Sequence, residues 1–153
     1  MERMTKLKTL TSVADILERE LGPTIKEWLR RVNLVPELTN TPLSDEDRTS
    51  HLPKLYYDLI CRLRLACDIY SPFSAAAIAH GRRRRDQGYT PAMLIEESRL
   101  FQVTTFGTLH LHQNELDQGQ VFSDIIVIAD EVDSQLMETV RSLMGVKLGE
   151  AAA

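Results

Sequence analysis

The spacing of apolar residues over 52–66 most constrains what this chain can become. Leu52, Leu55, Tyr56, Leu59, Ile60, Leu63 and Ala66 recur at i, i+3, i+4 and i+7, while Lys54, Asp58, Arg62 and Arg64 take the other side. That rhythm is the helical turn, and it gives a helix with one apolar face to bury. Several other apolar-periodic stretches also exceed ten residues, and 7 glycines and 6 prolines are few for a sandwich of short strands. The sequence therefore predicts an all-α fold, a single helical bundle of about six helices. With 153 residues, 43% of them hydrophobic, there is material for one core and no second domain. One domain is expected over 1–148, with 149–153 as a disordered tail.

Local signals place the helices. Thr11 and Ser12 are candidate caps for a first helix carrying Val13, Ile16, Leu17 and Leu21. Gly22-Pro23 marks a stop or kink before a second run through Trp28, Leu29 and Val32, which Val35-Pro36 ends. Ser44 and Asp47 have capping-box spacing, so another helix begins there. Ser71-Pro72 breaks the helix of the 52–66 pattern, and Ser74 caps the next, from Ala75 to about Gln87, with Gly88 as its C′ glycine. Thr90-Pro91 starts a long helix reaching toward His112. After Gly119, Phe122, Ile125, Ala129, Val132, Leu136 and Leu143 follow a seven-residue rhythm, a seam that could receive a partner helix. Ile125-Ile126-Val127-Ile128 is β-branched, yet the rhythm lasts about twenty residues, so helix is expected, ending near Gly145.

Several functions are disfavoured. The formal net charge of −4 argues against a general nucleic-acid binder. The longest apolar runs, Ala75–Ala79 and Ile125–Ala129, fall far short of the roughly 20 residues that span a bilayer. The amphipathic start does not read as a secretory signal, and the expected compartment is the cytoplasm. Cys61 and Cys67, if on one helix, stand roughly 9 Å apart along its axis, too far for a disulfide within it. No phosphate loop, Cys-x-x-Cys, His-Glu-x-x-His or nucleophile elbow occurs, so an enzyme is not expected. His110 and His112 project about 200° apart on a helix and do not share a metal. Neither a metal nor a cofactor is expected. His51 reads as a solvated or capping side chain and Trp28 as core.

The segment from His80 to Glu97 stands out for its unlike polar groups at helical spacing. His80 and Arg84 share a face, and across the Gly88 turn Glu97 lies on what should be the core-facing side of the next helix. An Arg and a Glu on adjacent antiparallel helices form a partly buried pair, because either charge left alone in a core costs several kcal/mol. Three readings remain: a structural clamp across the turn, a ligand or signal site, and a polyanion site at Arg82-Arg83-Arg84-Arg85. Four successive helix positions spread over all sides, so one polyanion could engage only about two of them. Haem is a further possibility for a bundle containing histidines, but His80 beside Gly81 and the arginine run is a poor axial ligand.

On His80-Gly81, Arg84, Gln87-Gly88-Tyr89, Leu94, Glu97, Leu100 and Phe101, in that spacing, the chain resembles the N-terminal domain shared by the RsbR/RsbRD co-antagonist proteins of bacterial stress signalling and a group of sensor histidine kinases. Weaker similarity covers Trp28-Leu29-Arg30-Arg31-Val32, Leu43-Ser44-Asp45, His51-Leu52-Pro53 with Leu55, and the region of Asp130. The resemblance implies a globin-like bundle without haem, a homodimer, and relay of an environmental signal to a kinase-type or STAS-type partner, in trans or fused. Its polar cluster would be His80, Arg84, Tyr89 and Glu97, and its partner seam the Phe122–Leu136 face. Gln102 departs from the family, which often carries a basic residue there.

Overall fold

The computed structural model describes residues 9–65 and 74–146. Among the described residues eight α-helices follow one another: α1 Val13–Arg19, α2 Leu21–Val32, α3 Pro36–Thr39, α4 Asp45–Thr49, α5 Leu52–Arg64, α6 Ala75–Asp86, α7 Pro91–Leu111 and α8 Val121–Leu143, with a 3-10 turn at Gln113–Glu115. Among the described residues there is no strand, only an isolated bridge between Thr11 and Leu116. The all-α expectation holds, and the β-branched run 125–128 lies inside α8. No helix of the described residues is long and apolar enough to cross a membrane. The expected tail, the Ser71-Pro72 break and Cys67 lie outside the described residues, while Cys61 is a free, half-buried thiol.

The helix starts follow the predicted chemistry. The side chains of Ser12, Ser44, Ser74 and Thr90 accept the backbone N–H of Asp15, Asp47, Ala77 and Met93, each three residues on. Gly88 and Gly145, with φ of +83° and +71°, close α6 and α8. At each, two turn-closing bonds form: Gly88 N–H to Arg85 O and Tyr89 N–H to Arg84 O, then Gly145 N–H to Ser142 O and Val146 N–H to Arg141 O. Two boundaries differ from expectation. The helix begun at Ser44 stops at Thr49, because Pro53 has no N–H to donate and its ring would meet the Thr49 carbonyl, so α5 starts afresh at Leu52 with proline in its first turn. Pro36 does not merely end α2 but opens the one-turn α3.

α7 and α8, joined by a short connection, pack on each other, with α1 and α2 against α7, and α5 against both α1 and α8. α6 lies closest on α8. Gly81 makes this possible, since a Cβ there would sit 2.3 Å from the Thr139 carbonyl oxygen. The core is formed by Ile16 and Leu17, Trp28, Tyr56 and Leu59, Leu94, Phe101, Ile128 and Val132. Within it, Tyr56 pairs with Thr105 at 2.8 Å and Thr24 with Thr108 at 2.8 Å, so the buried hydroxyls of α7 tie it to α5 and α2.

Candidate functional site

His80, Arg84 and Glu97, picked out by spacing, and Tyr89, implied by the resemblance, come together in the core. His80 and Arg84 lie one turn apart on α6, the Gly88 turn reverses the chain, and Glu97 faces them from the second turn of α7. Arg84 is fully buried, and its guanidinium donates four hydrogen bonds. Nε donates to Glu97 Oε2 at 3.2 Å and Nη2 lies 3.1 Å from Oε1, a two-pronged pair. Nη1 donates to Gln87 Oε1 at 2.7 Å and to the Asp47 carbonyl at 3.2 Å, and Nη2 to the Arg48 carbonyl at 2.7 Å. The Tyr89 hydroxyl donates to Glu97 Oε1 at 2.7 Å, and the Arg84 guanidinium lies 4.6 Å from the Tyr89 ring centre. The pair thus clamps α6 to α7 and also holds the backbone of α4.

Spacing did not reveal the other half of the cluster. Arg48 of α4 is buried and donates to the Tyr89 hydroxyl at 3.1 Å and to the carbonyls of Leu38 at 3.2 Å and Thr41 at 2.8 Å. It stands four residues before Leu52 and seven before Leu55, so it extends the apolar stripe of α5 back by one turn, a signal obscured by the acidic residues around it. His51 corrects an expectation: its ring is not solvated. It stacks face to face on His80, ring centres 3.6 Å apart and planes 8° apart, and meets Trp28 edge-on at 5.7 Å. Trp28 is core, as expected, and its indole N–H also donates to the Glu97 carbonyl at 3.2 Å.

Burial drives the electrostatics. It pushes the His51 imidazole well below its ordinary pKa, with the neighbouring His80, Arg84 and Arg83 adding to the effect. Burial also lowers His80, against the pull of Glu97, whose Oε2 is 3.5 Å from His80 Nε2. For Glu97, burial raises the pKa, but contact with His80, the Arg84 charge and the Tyr89 hydroxyl outweigh it and hold the carboxyl below its ordinary range. The cluster is therefore a carboxylate–guanidinium pair with two neutral imidazoles stacked beside it.

A cleft between α7 and α8, lined by Ser98, Leu136 and Gln135, leads down to His51, His80, Glu97 and Trp28 and holds a volume of about 30 Å³, room for one or two waters. Within this cluster, among the described residues, His51 Nδ1 is the buried polar atom without a hydrogen-bond partner. His51, His80 and Glu97 also bring one ligand-type atom each within 4.8 Å of the others. Lone pairs lie in the ring planes, so two parallel rings direct them side by side rather than toward one point. A metal ion here would require one ring to turn and Glu97 to share its oxygens with Arg84.

The α8 seam is split. Val132 is buried in the core, Ile125, Ala129 and Leu136 are half-buried, and Phe122 is 78% exposed. The stripe that meets the bundle is Ile128, Val132, Gln135, Thr139 and Leu143. The outward apolar row is Phe122, Ile126, Met137 and Met144, interrupted by Asp133. Comparison with protein-family models, with curated proteins and with solved structures finds no match to this chain.

Proposed function

We propose that the chain is a non-catalytic sensory or protein-interaction module of bacterial signal transduction, a globin-like bundle that forms a homodimer and passes a signal to a partner or fused output domain. The observation that carries this reading is the second apolar face of α8. A helix that has already buried Ile128, Val132 and Leu143 still presents Phe122, 78% exposed, and Ile126, 69% exposed, beside the half-buried Ile125 and Ala129. Large apolar side chains grouped on one face mark an interaction surface rather than scattered surface residues. The likeness of the His80–Phe101 segment to the RsbR/RsbRD N-terminal domain supports the same reading, as does the absence of catalytic motifs. The buried Arg84–Glu97 pair suits the core of such a module, because it fixes the relation of α4, α6 and α7.

Light scattering coupled to size exclusion tests the proposal directly. The native chain is expected to run as a dimer at micromolar concentrations, and a strict monomer there would falsify the interaction surface. The cleft above His51 favours a second reading, a sensor for a very small ligand. At about 30 Å³ it is far too small for haem in this conformation.

A further inference from the structure

Where the C-terminal ends of α6 and α8 meet, the arginine run does something that helix geometry alone does not require. Arg84 turns inward, and Arg83 pairs with Asp47 at 2.7 Å. Arg82 and Arg85 instead line a groove with Arg141 of α8, and neither makes an ion pair or side-chain hydrogen bond to the described residues. The groove has a volume of about 370 Å³, within the range of small-molecule sites. Glu138 is the carboxylate in its wall, and it meets Arg141 only loosely, at 3.7 Å. The Arg85 guanidinium lies against Gly145, where a Cβ would be 3.0 Å from Nη1.

Charge decides what the groove would accept. Three arginines line the groove with one carboxylate and two helix C-termini, each worth roughly half a negative charge, so a positive excess of about one charge remains around it. The helix ends explain why some cations are held here, but not three around one cavity. Guanidinium groups without an ion-pair partner among the described residues, as on Arg82 and Arg85, are suited to two-pronged contact with phosphate oxygens. Ile78 and Val146 add an apolar wall beside them. We infer that this groove binds a small phosphate monoester carrying an organic group of about mononucleotide size. The phosphate lies among Arg82, Arg85 and Arg141, and the organic part lies against Ile78 and Val146. A long polyanion fits less well, because the site is concave and the net charge of −4 repels an extended one.

Adenosine monophosphate and inorganic phosphate serve as probes, titrated into the whole chain at low salt by calorimetry. Saturable one-to-one binding of the nucleotide, with phosphate competing, is expected. The double variant Arg82→Gln/Arg85→Gln should weaken it by at least about tenfold, since two charge-assisted contacts are lost, while Arg83→Gln on the same helix leaves it unchanged. Three results would overturn the inference: no binding of either probe at millimolar concentration, equal weakening by Arg83→Gln, or displacement of the nucleotide by a mixed-sequence single-stranded oligonucleotide that binds more tightly. If the double variant melts early, Arg141→Gln carries the same test on a separate helix.

Discussion

At the scale of single residues, the fold depends on a buried ion pair, Arg84 being 0% and Glu97 4% exposed. Removing one partner leaves the other charge buried and alone, so Glu97→Gln and Arg84→Met should each destabilise the chain by about 3–5 kcal/mol, read by urea unfolding. The double replacement Arg84→Met/Glu97→Leu should lose less than the two singles together, because no charge is then stranded. Additive losses would mean the pair is not coupled. The two stacked imidazoles set the response to acid. Each has its folded pKa pushed below its ordinary value of 6.5 by burial. The unfolded chain therefore takes up protons below pH 6.5 that the folded chain refuses, and stability is complete above that pH and falls beneath it. Glu97 acts in the same direction, because its folded pKa is depressed: its contribution is present above its ordinary value of 4.5 and is lost as pH falls through the folded value. The melting temperature should thus drop between pH 7 and pH 5, and His51→Phe, which keeps a ring on His80, should flatten that drop. A native chain with equal melting temperatures at the two pH values would contradict the buried neutral pair.

At the scale of helices, two glycines do different work and predict different losses. Gly88 adopts φ +83° with open space where a Cβ would go, so Gly88→Ala should lose only the cost of a left-handed backbone, about 1–2 kcal/mol. Gly81 has ordinary helical backbone but no space, its virtual Cβ being 2.3 Å from Thr139 O and 2.7 Å from Ser142 Cβ. Gly81→Ala should push α6 off α8 and lose about 1–3 kcal/mol, together with the Ser142 hydroxyl's 2.6 Å bond to Ile78 O. Denaturant midpoints for the two variants, with hydrogen exchange at α6, separate strain from overpacking. The helix plan itself was legible in the sequence, because caps, C′ glycines and apolar periods are local, and Ser12, Ser44, Ser74, Thr90, Gly88 and Gly145 all act where they were expected to. Only part of the polar cluster was legible. His80, Arg84, Tyr89 and Glu97 lie within one helix–turn–helix, whereas Arg48 and His51 reach them only through packing between segments some 30 to 50 positions apart. Nothing local marks such a contact, and the acidic neighbours of Arg48 suggest a solvated cap instead.

At the scale of the whole molecule, the same asymmetry separates the two faces of α8. A seven-residue rhythm cannot tell a helix that meets its own bundle from one that meets another copy, and here the row Phe122, Ile125, Ala129, Val132, Leu136 runs obliquely across both surfaces. The structure turns this into a discriminating experiment. Val132→Asp places a charge at a position 3% exposed beside Ile128, and should unfold the chain or lower its midpoint severely, whatever its oligomeric state. Phe122→Asp/Ile126→Asp changes two side chains that already face solvent in the single copy, and should leave the midpoint of the isolated monomer within about 0.5 kcal/mol. In a dimer held by this face, the same double change converts the light-scattering mass from two copies to one and removes the concentration dependence of melting, because dissociation no longer precedes unfolding. If the double variant stays dimeric, association uses another surface. If it unfolds as Val132→Asp does, then Phe122 and Ile126 belong to the core of the single chain, and the outward face is not available to a partner.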